Sequence, residues 1–168
     1  MIKRIHIYDF DNTLMATPFP ERGIPEWESM TGKDFPDDRI YWETQESLDP
    51  RLGSIKPFYS IVTLAEDSAR DPEVLSILMT GRKNFLEDQV MNLIELYDLN
   101  IFDAYYLSDG DTLTFKCDKL RELTEQNGAA EEIVMWEDRE EHWAPFENMS
   151  QELGIPVRVN RVIDGNVQ

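Results

Sequence analysis

The sequence predicts an α/β protein: a parallel sheet covered by helices on both faces, with a small insertion after the first strand. Three observations predict it. Short apolar and β-branched runs alternate with stretches whose apolar residues recur at three- and four-residue spacing. The polar clusters Asp9/Asp11, Thr80 and Glu137/Asp138 each follow a run that reads as a strand, and ligands of open α/β sheets bind beyond the carboxyl ends of the strands. The stretch 15–53 interrupts the alternation with most of the prolines, three of the eight glycines and scattered aromatics.

Element by element, Ile2 to Tyr8 reads as a buried strand ending at Asp9-Phe10-Asp11. Residues 15–53 read as turns and short elements, a flap or minimal cap. From Lys56-Pro57 a helix places Phe58, Ile61, Val62, Leu64 and Ala65 on one broad face until Asp71-Pro72 stops it. Val74 to Met79 is a second strand leading into Thr80-Gly81-Arg82, and a helix through Leu86, Val90, Leu93, Ile94 and Tyr97 follows. Ala104 to Leu107 is a third strand closed by the turn Ser108 to Asp111. A helix from about Phe115 to Gln126 then ends at Asn127-Gly128. Ile133 to Trp136 makes a fourth strand ending at Glu137-Asp138-Arg139, a last helix spans about Pro145 to Leu153, and Val157 to Ile163 supplies a fifth strand.

A chain of 168 residues is long enough for one substantial core, so residues 1–168 are expected to form one domain decorated by the 15–53 insertion. The formal charge of −18 repels polyanions and anionic membranes, which argues against strong non-specific nucleic-acid binding. Apolar runs such as Val74 to Met79 are far shorter than the ~20 residues a bilayer demands, so no membrane association is expected. The N-terminus lacks the apolar core and cleavage site of a signal peptide. A lone Cys117 suits a reducing compartment, so a cytoplasmic location is expected.

The chemistry follows from carboxylates at strand ends. Asp9 and Asp11 can turn toward one cavity where their strand is finishing, and like charges that close call for a cation between them. Mg²⁺ suits such a site, because it takes one or two carboxylates plus substrate phosphate and keeps several waters. Asp138 completes the site from the fourth strand. One carboxylate then attacks phosphorus while the other protonates the leaving oxygen. Thr80 and Lys116 are the right chemical types to hold phosphate oxygens. Taken singly these residues also suit blander roles: a polar turn at Asp9 to Thr13, a helix N-cap at Thr80, a solvated lysine at 116. Their joint order and spacing favours the chemical reading.

With these residues in view, the chain resembles the haloacid dehalogenase (HAD) superfamily, through Asp9-Phe10-Asp11-Asn12-Thr13-Leu14, Thr80, Lys116 and Glu137-Asp138. Within it, the chain looks like the branch called Swiss Army Knife RNA repair-like. The shared residues are Thr17-Pro18, Trp42, Leu78 to Arg82 with Phe85, Phe102-Asp103, Phe115-Lys116, and Glu137-Asp138-Arg139 with His142 and Phe146. The likeness covers almost the whole chain and implies a Rossmann-like HAD fold. It also implies Asp9 as nucleophile, Asp11 as general acid and base, and Thr80 and Lys116 as phosphate holders. Mg²⁺ would be held by Asp9, the Asp11 carbonyl and Asp138. Glu137-Asp138-Arg139 is similar to the Asp-Asp-Arg of the phosphatase half of polynucleotide kinase/phosphatases, and the Glu leaves open whether Glu137 or Asp138 meets the metal. Asn12, Gly81, Arg82 and Arg139 are candidates for contacts to the substrate.

The expected activity is therefore a phosphomonoesterase with an aspartyl-phosphate intermediate, acting on a nucleotide or nucleic-acid terminal phosphate. Phe19, Trp27, Phe35, Tyr41 and Trp42 can either stack on a base or form a small core under the flap. A phosphatase of another small metabolite, and a non-catalytic acidic binding protein such as a DNA mimic, are the alternatives. Oligomeric state is not legible.

Overall fold

The computed structural model describes residues 1–168. Its elements in chain order are β1 (Arg4–Tyr8), β2 (Met15–Ala16), α1 (Pro20–Thr31), β3 (Lys56–Pro57), α2 (Tyr59–Arg70), β4 (Val74–Lys83), α3 (Glu87–Leu96), β5 (Ala104–Ser108), α4 (Thr112–Gln126), β6 (Glu132–Glu137), α5 (Glu140–Leu153), β7 (Val157–Ile163) and β8 (Asn166–Val167). Short 3-10 turns occur at Tyr41–Glu43, Glu46–Leu48 and Asn84–Leu86.

Five strands run parallel in the order β5-β4-β1-β6-β7, and β8 folds back antiparallel on β7. This is the α/β architecture expected from the sequence. Chain order reverses at β1, and such a switch point opens the crevice in which doubly wound folds bind ligands. Register fixes what meets there: Tyr8 lies beside both Leu78 of β4 and Trp136 of β6, so Asp9, Thr80 and Glu137 emerge at nearly one level.

The side-chain alternation of β1 separates two cores. Tyr8 packs with Leu78, Trp136, the α2 and α3 residues Ile61, Ala65, Val90 and Leu93, and the insertion residues Trp27, Phe35 and Leu48. Ile5 and Ile7 face the other way, onto Leu120 and Leu123 of α4 and Phe146 and Met149 of α5. Helices thus cover both faces. The polar members of the first face are satisfied internally, since Tyr8 Oη and His6 Nδ1 both bond Ser68 Oγ, at 2.7 and 2.8 Å.

Three local expectations are corrected. The 15–53 stretch contains a twelve-residue helix, α1, with Pro20 in its first turn and Gly32 closing it at φ 68°. Helix α4 begins at Thr112 rather than near Phe115, because Asp111 caps it by accepting from the Thr114 N–H at 2.9 Å. Helix α5 begins at Glu140 with Pro145 inside it; Glu140 and Glu141 suit its positive N-terminal end, and Trp143 Nε1 donates to the Glu137 carbonyl at 2.9 Å.

Candidate active site

Strand β4 runs on through Lys83, so Thr80-Gly81-Arg82 is strand rather than a helix cap. Between Thr80 and Lys83 it advances three residues while its partner β5 advances from Leu107 to Ser108. This bulge swings Gly81 and Arg82 into the crevice, the re-aiming that bulges perform beside sites. A Cβ on Gly81 would stand 2.6 Å from the Thr112 side chain, so glycine lets the bulge pack against the start of α4.

The crevice is a cavity of about 570 Å³. Asp9, Asp11, Asn12, Gly81, Arg82, Lys116, Asp138 and Arg139, all singled out in the sequence, line it. Thr80 and Glu137 do not. Thr80 is buried with Oγ1 accepting the Arg82 N–H at 3.1 Å, and Glu137 is buried behind the lysine.

Lys116 reaches inward from the second turn of α4 with a side chain only 1% exposed. Its Nζ donates to Asp9 Oδ1 and to Glu137 Oε2, both at 2.7 Å. The other Glu137 oxygen accepts the Arg139 backbone N–H at 3.2 Å and lies 3.6 Å from His142 Nδ1. Asp9 Oδ2 has no protein donor, and Asp138 Oδ1 is buried with no hydrogen-bond partner at all. Asp9, Glu137 and Asp138 each offer an oxygen within 4.8 Å of the others. A buried, unpartnered carboxylate oxygen beside a second carboxylate is what a divalent cation satisfies, so the donor set fits one. Since both Glu137 oxygens are engaged by protein groups, Asp138 is the better placed of the pair.

The comparisons with known proteins agree with this geometry. The family described as "HAD domain family 1 in Swiss Army Knife RNA repair proteins" matches residues 41–167. The chain belongs to this family. An uncharacterized protein of Saccharomyces cerevisiae is 27% identical over 181 aligned positions, 92% of this chain and 38% of that protein, so the chain spans well under half of that relative's length. The HAD domain of the Legionella pneumophila effector Lem4 superposes with a TM-score of 0.61 at 18% identity, covering 99% of this chain and 90% of that one. A haloacid dehalogenase-like hydrolase from Streptococcus pneumoniae, SP0104, gives 0.52 at 15% identity, covering 93% and 83%. At such identities these structures attest the fold alone. The HAD family is one of hydrolases and phosphatases that use a divalent metal.

In this HAD domain the electrostatics sort the carboxylates. Burial pushes the Asp9 carboxyl above its ordinary range, with Lys116 opposing the shift. Burial pushes Asp138 up as well, and the neighbouring charges of Asp9, Glu137 and Asp11 add to it. For Glu137 burial works against the charge, but Lys116 and His142 outweigh it and hold the carboxyl below the usual range. Lys116 itself is held charged by its two carboxylates, which overcome its burial.

Asp11 stands apart from this trio because Arg82 holds it. Nε donates to Asp11 Oδ2 at 2.9 Å and Nη2 to Oδ1 at 2.7 Å, while Nη1 donates to the Trp42 carbonyl at 2.9 Å and Ser47 Oγ at 2.7 Å. The guanidinium also sits 5.0 Å from the Trp42 ring centre. With its donors so engaged, Arg82 ties the 41–48 turns to Asp11 instead of pointing free into the cavity. Sequence reasoning missed Ser47, for which no local pattern exists. Arg82→Gln is expected to cost about 2 kcal/mol, since Asp11 is partly solvated and keeps some hydration. Chemical denaturation checks this; an unchanged midpoint would mean the contacts carry no weight.

The other candidates are placed as follows. Asn12 adopts φ 55°, and its Oδ1 accepts the Thr17 N–H at 3.2 Å, shaping the turn after β1. Arg139 pairs with Glu141 at 2.8 Å on the rim. The insertion aromatics divide: Trp27 meets Phe35 edge-on and Phe35 stacks on Tyr41 as core, whereas Phe19 and Trp42 reach the cavity.

Proposed function

We propose that the chain is a Mg²⁺-dependent phosphomonoesterase that works through an aspartyl-phosphate on Asp9, with a nucleotide or nucleic-acid terminal phosphate as substrate. The observation that carries this reading is the pairing of Asp9, fixed through Oδ1 by Lys116 and free of protein donors at Oδ2, with the unpartnered Asp138 oxygen in one cavity.

Asp9 Oδ2 attacks phosphorus and the ester P–O bond breaks, with Asp11 giving its proton to the leaving oxygen. Asp11 then takes a proton from water, whose oxygen displaces Asp9 from phosphorus and releases inorganic phosphate. For the first step one Asp11 oxygen must turn from Arg82 toward the ester. Asp9, Asp138 and the Asp11 carbonyl would hold the cation, which when bound offsets charge on the phosphoryl oxygens. Lys116 keeps Asp9 oriented and supplies positive charge beside the phosphoryl group. Glu137, locked by Lys116 and the Arg139 N–H, keeps that lysine in place.

The test is phosphate release from a panel of aryl phosphates, nucleotides and phosphorylated oligonucleotides. Turnover is expected with Mg²⁺, is lost on chelation and returns on readdition. In parallel, Mg²⁺ well above its dissociation constant should raise Tm by about 5–10 °C, and Asp138→Asn should remove that rise. A Mg²⁺ shift without any turnover would favour the acidic binding module instead.

A further inference from the structure

The mouth of the cavity has a composition that the chemistry alone does not explain. Phe19, Ile40 and Trp42 are the apolar lining of the cavity, with Phe19 59% and Ile40 63% exposed and Phe19 set edge-on to Trp42. Phe19 precedes α1 and makes no cap bond through its side chain. Aromatic and branched side chains left this bare beside a polar pocket suit a ligand with a flat apolar face.

The charges of the lining are nearly all paired. Asp9, Asp11, Glu43, Asp138, Glu140 and Glu141 line the cavity against Arg82, Lys83, Lys116 and Arg139. Lys116 serves Asp9 and Glu137, Arg82 serves Asp11, and Arg139 serves Glu141. Lys83 donates to the Gly110 carbonyl and stands 3.8 Å from Glu43. The lining carboxylates exceed the cations by two, and by three with Glu137 behind Lys116, so a divalent ion leaves the site still acidic and no surplus of positive charge stands at the mouth for a second phosphate. The overall charge of −18 deepens the same field. Proteins that hold nucleic-acid chains do the reverse and set lysines and arginines along the backbone path.

We propose that the substrate carries a single phosphate on a leaving group with one flat ring, which rests on Phe19, Ile40 and Trp42, and that Glu43, Glu140 and Glu141 turn polyanionic chains away. This rests on the phosphomonoesterase reading and chooses within it: a mononucleotide or another ring-bearing monophosphate rather than a nucleic-acid end.

The test uses the full chain with Mg²⁺ and compares kcat/KM across matched substrates. Adenosine 5′-monophosphate should exceed ribose 5-phosphate by about tenfold or more, as base stacking on an aromatic residue implies. Phe19→Ala should bring that ratio toward one, and Phe19→Tyr should keep it; the exposure of Phe19 makes misfolding of either variant unexpected. Phenyl phosphate, with its ring directly on the ester oxygen, separates the two sources: if Phe19→Ala weakens it more than the nucleotide, the ring belongs next to the phosphate. Adenosine 3′-monophosphate should exceed a 3′-phosphorylated decanucleotide, and added salt should narrow the gap by screening repulsion. The proposal is overturned by equal rates for nucleotide and ribose phosphate, or by a decanucleotide that is preferred and weakens with salt. Turnover of ribose 5-phosphate without ring preference sinks this inference alone, while no turnover of any ester removes the phosphomonoesterase reading with it.

Discussion

Asp9→Asn is expected to lower kcat by a factor on the order of 10⁴ to 10⁶, the scale on which enzymes lose rate with their nucleophile, while Tm stays level or rises. The first effect follows from replacing the attacking oxygen with an amide that cannot form the acyl phosphate. The second follows from electrostatics. Burial raises the Asp9 carboxyl above its ordinary range, so at neutral pH the ionised group costs folding free energy relative to the unfolded chain. A neutral amide removes that cost and can still present its oxygen to Lys116. Phosphate release and thermal unfolding on the same sample check both halves. A variant that retains turnover would show that Asp9 is not the attacking group.

Lys116→Met should be the most damaging substitution for stability. It leaves Asp9 and Glu137 facing each other in the interior without the ammonium that bonds both at 2.7 Å. Breaking a buried pair in this way costs roughly 3–5 kcal/mol, a fall of about 6–20 °C in Tm for a chain of this size. The pH dependence separates this from simple loss of packing. In the parent protein the folded Glu137 carboxyl lies below its unfolded value near 4.5, so its contribution is present above that value and fades as pH falls through the folded one. Without Lys116 only His142 and the Arg139 N–H still oppose burial, so the folded carboxyl is pushed up from the parent's value and the variant loses stability relative to the parent as pH rises. The gap between the two proteins is therefore expected to be wider at pH 8 than at pH 5. Denaturant midpoints at the two pH values measure it, and a gap independent of pH would assign the lysine a packing role only.

The five parallel strands were legible because each is a short run rich in apolar, β-branched or aromatic residues followed by a polar cluster, a pattern set locally. The polar ends of β1 and β6 were legible for the same reason, and cavity residues Asp9, Asp11 and Asp138 follow from them, whereas Lys116 on α4 was legible only jointly with them. Helix α1 was obscured by Pro20 and Pro25, although Pro in the first turn and Gly32 after the last are ordinary boundary signals. The division of labour between Glu137 and Asp138 depends on where Lys116 points, which is decided by α4 packing across the sheet. The fate of Arg82 depends on a carbonyl forty residues away and on the Ser47 hydroxyl. Backbone acceptors carry no residue code, so no reading of neighbours along the chain reveals them. The sorting of Phe19 and Trp42 from Trp27, Phe35 and Tyr41 likewise emerges only once the insertion is folded.

The guanidinium that joins Asp11 to the Trp42 carbonyl and the Ser47 hydroxyl makes the insertion and the Asp11 carboxylate one mechanical unit. A foreign loop transplanted between β1 and α2 inherits this obligation: it must offer two oxygens at the same places or leave the Nη1 donors of Arg82 without partners in the interior. Within the stretch that carries those two anchor points, each change is felt at Asp11 through the guanidinium. Phe19 and Ile40 line the cavity without taking part in those hydrogen bonds, so changes there leave the link between Arg82 and Asp11 in place.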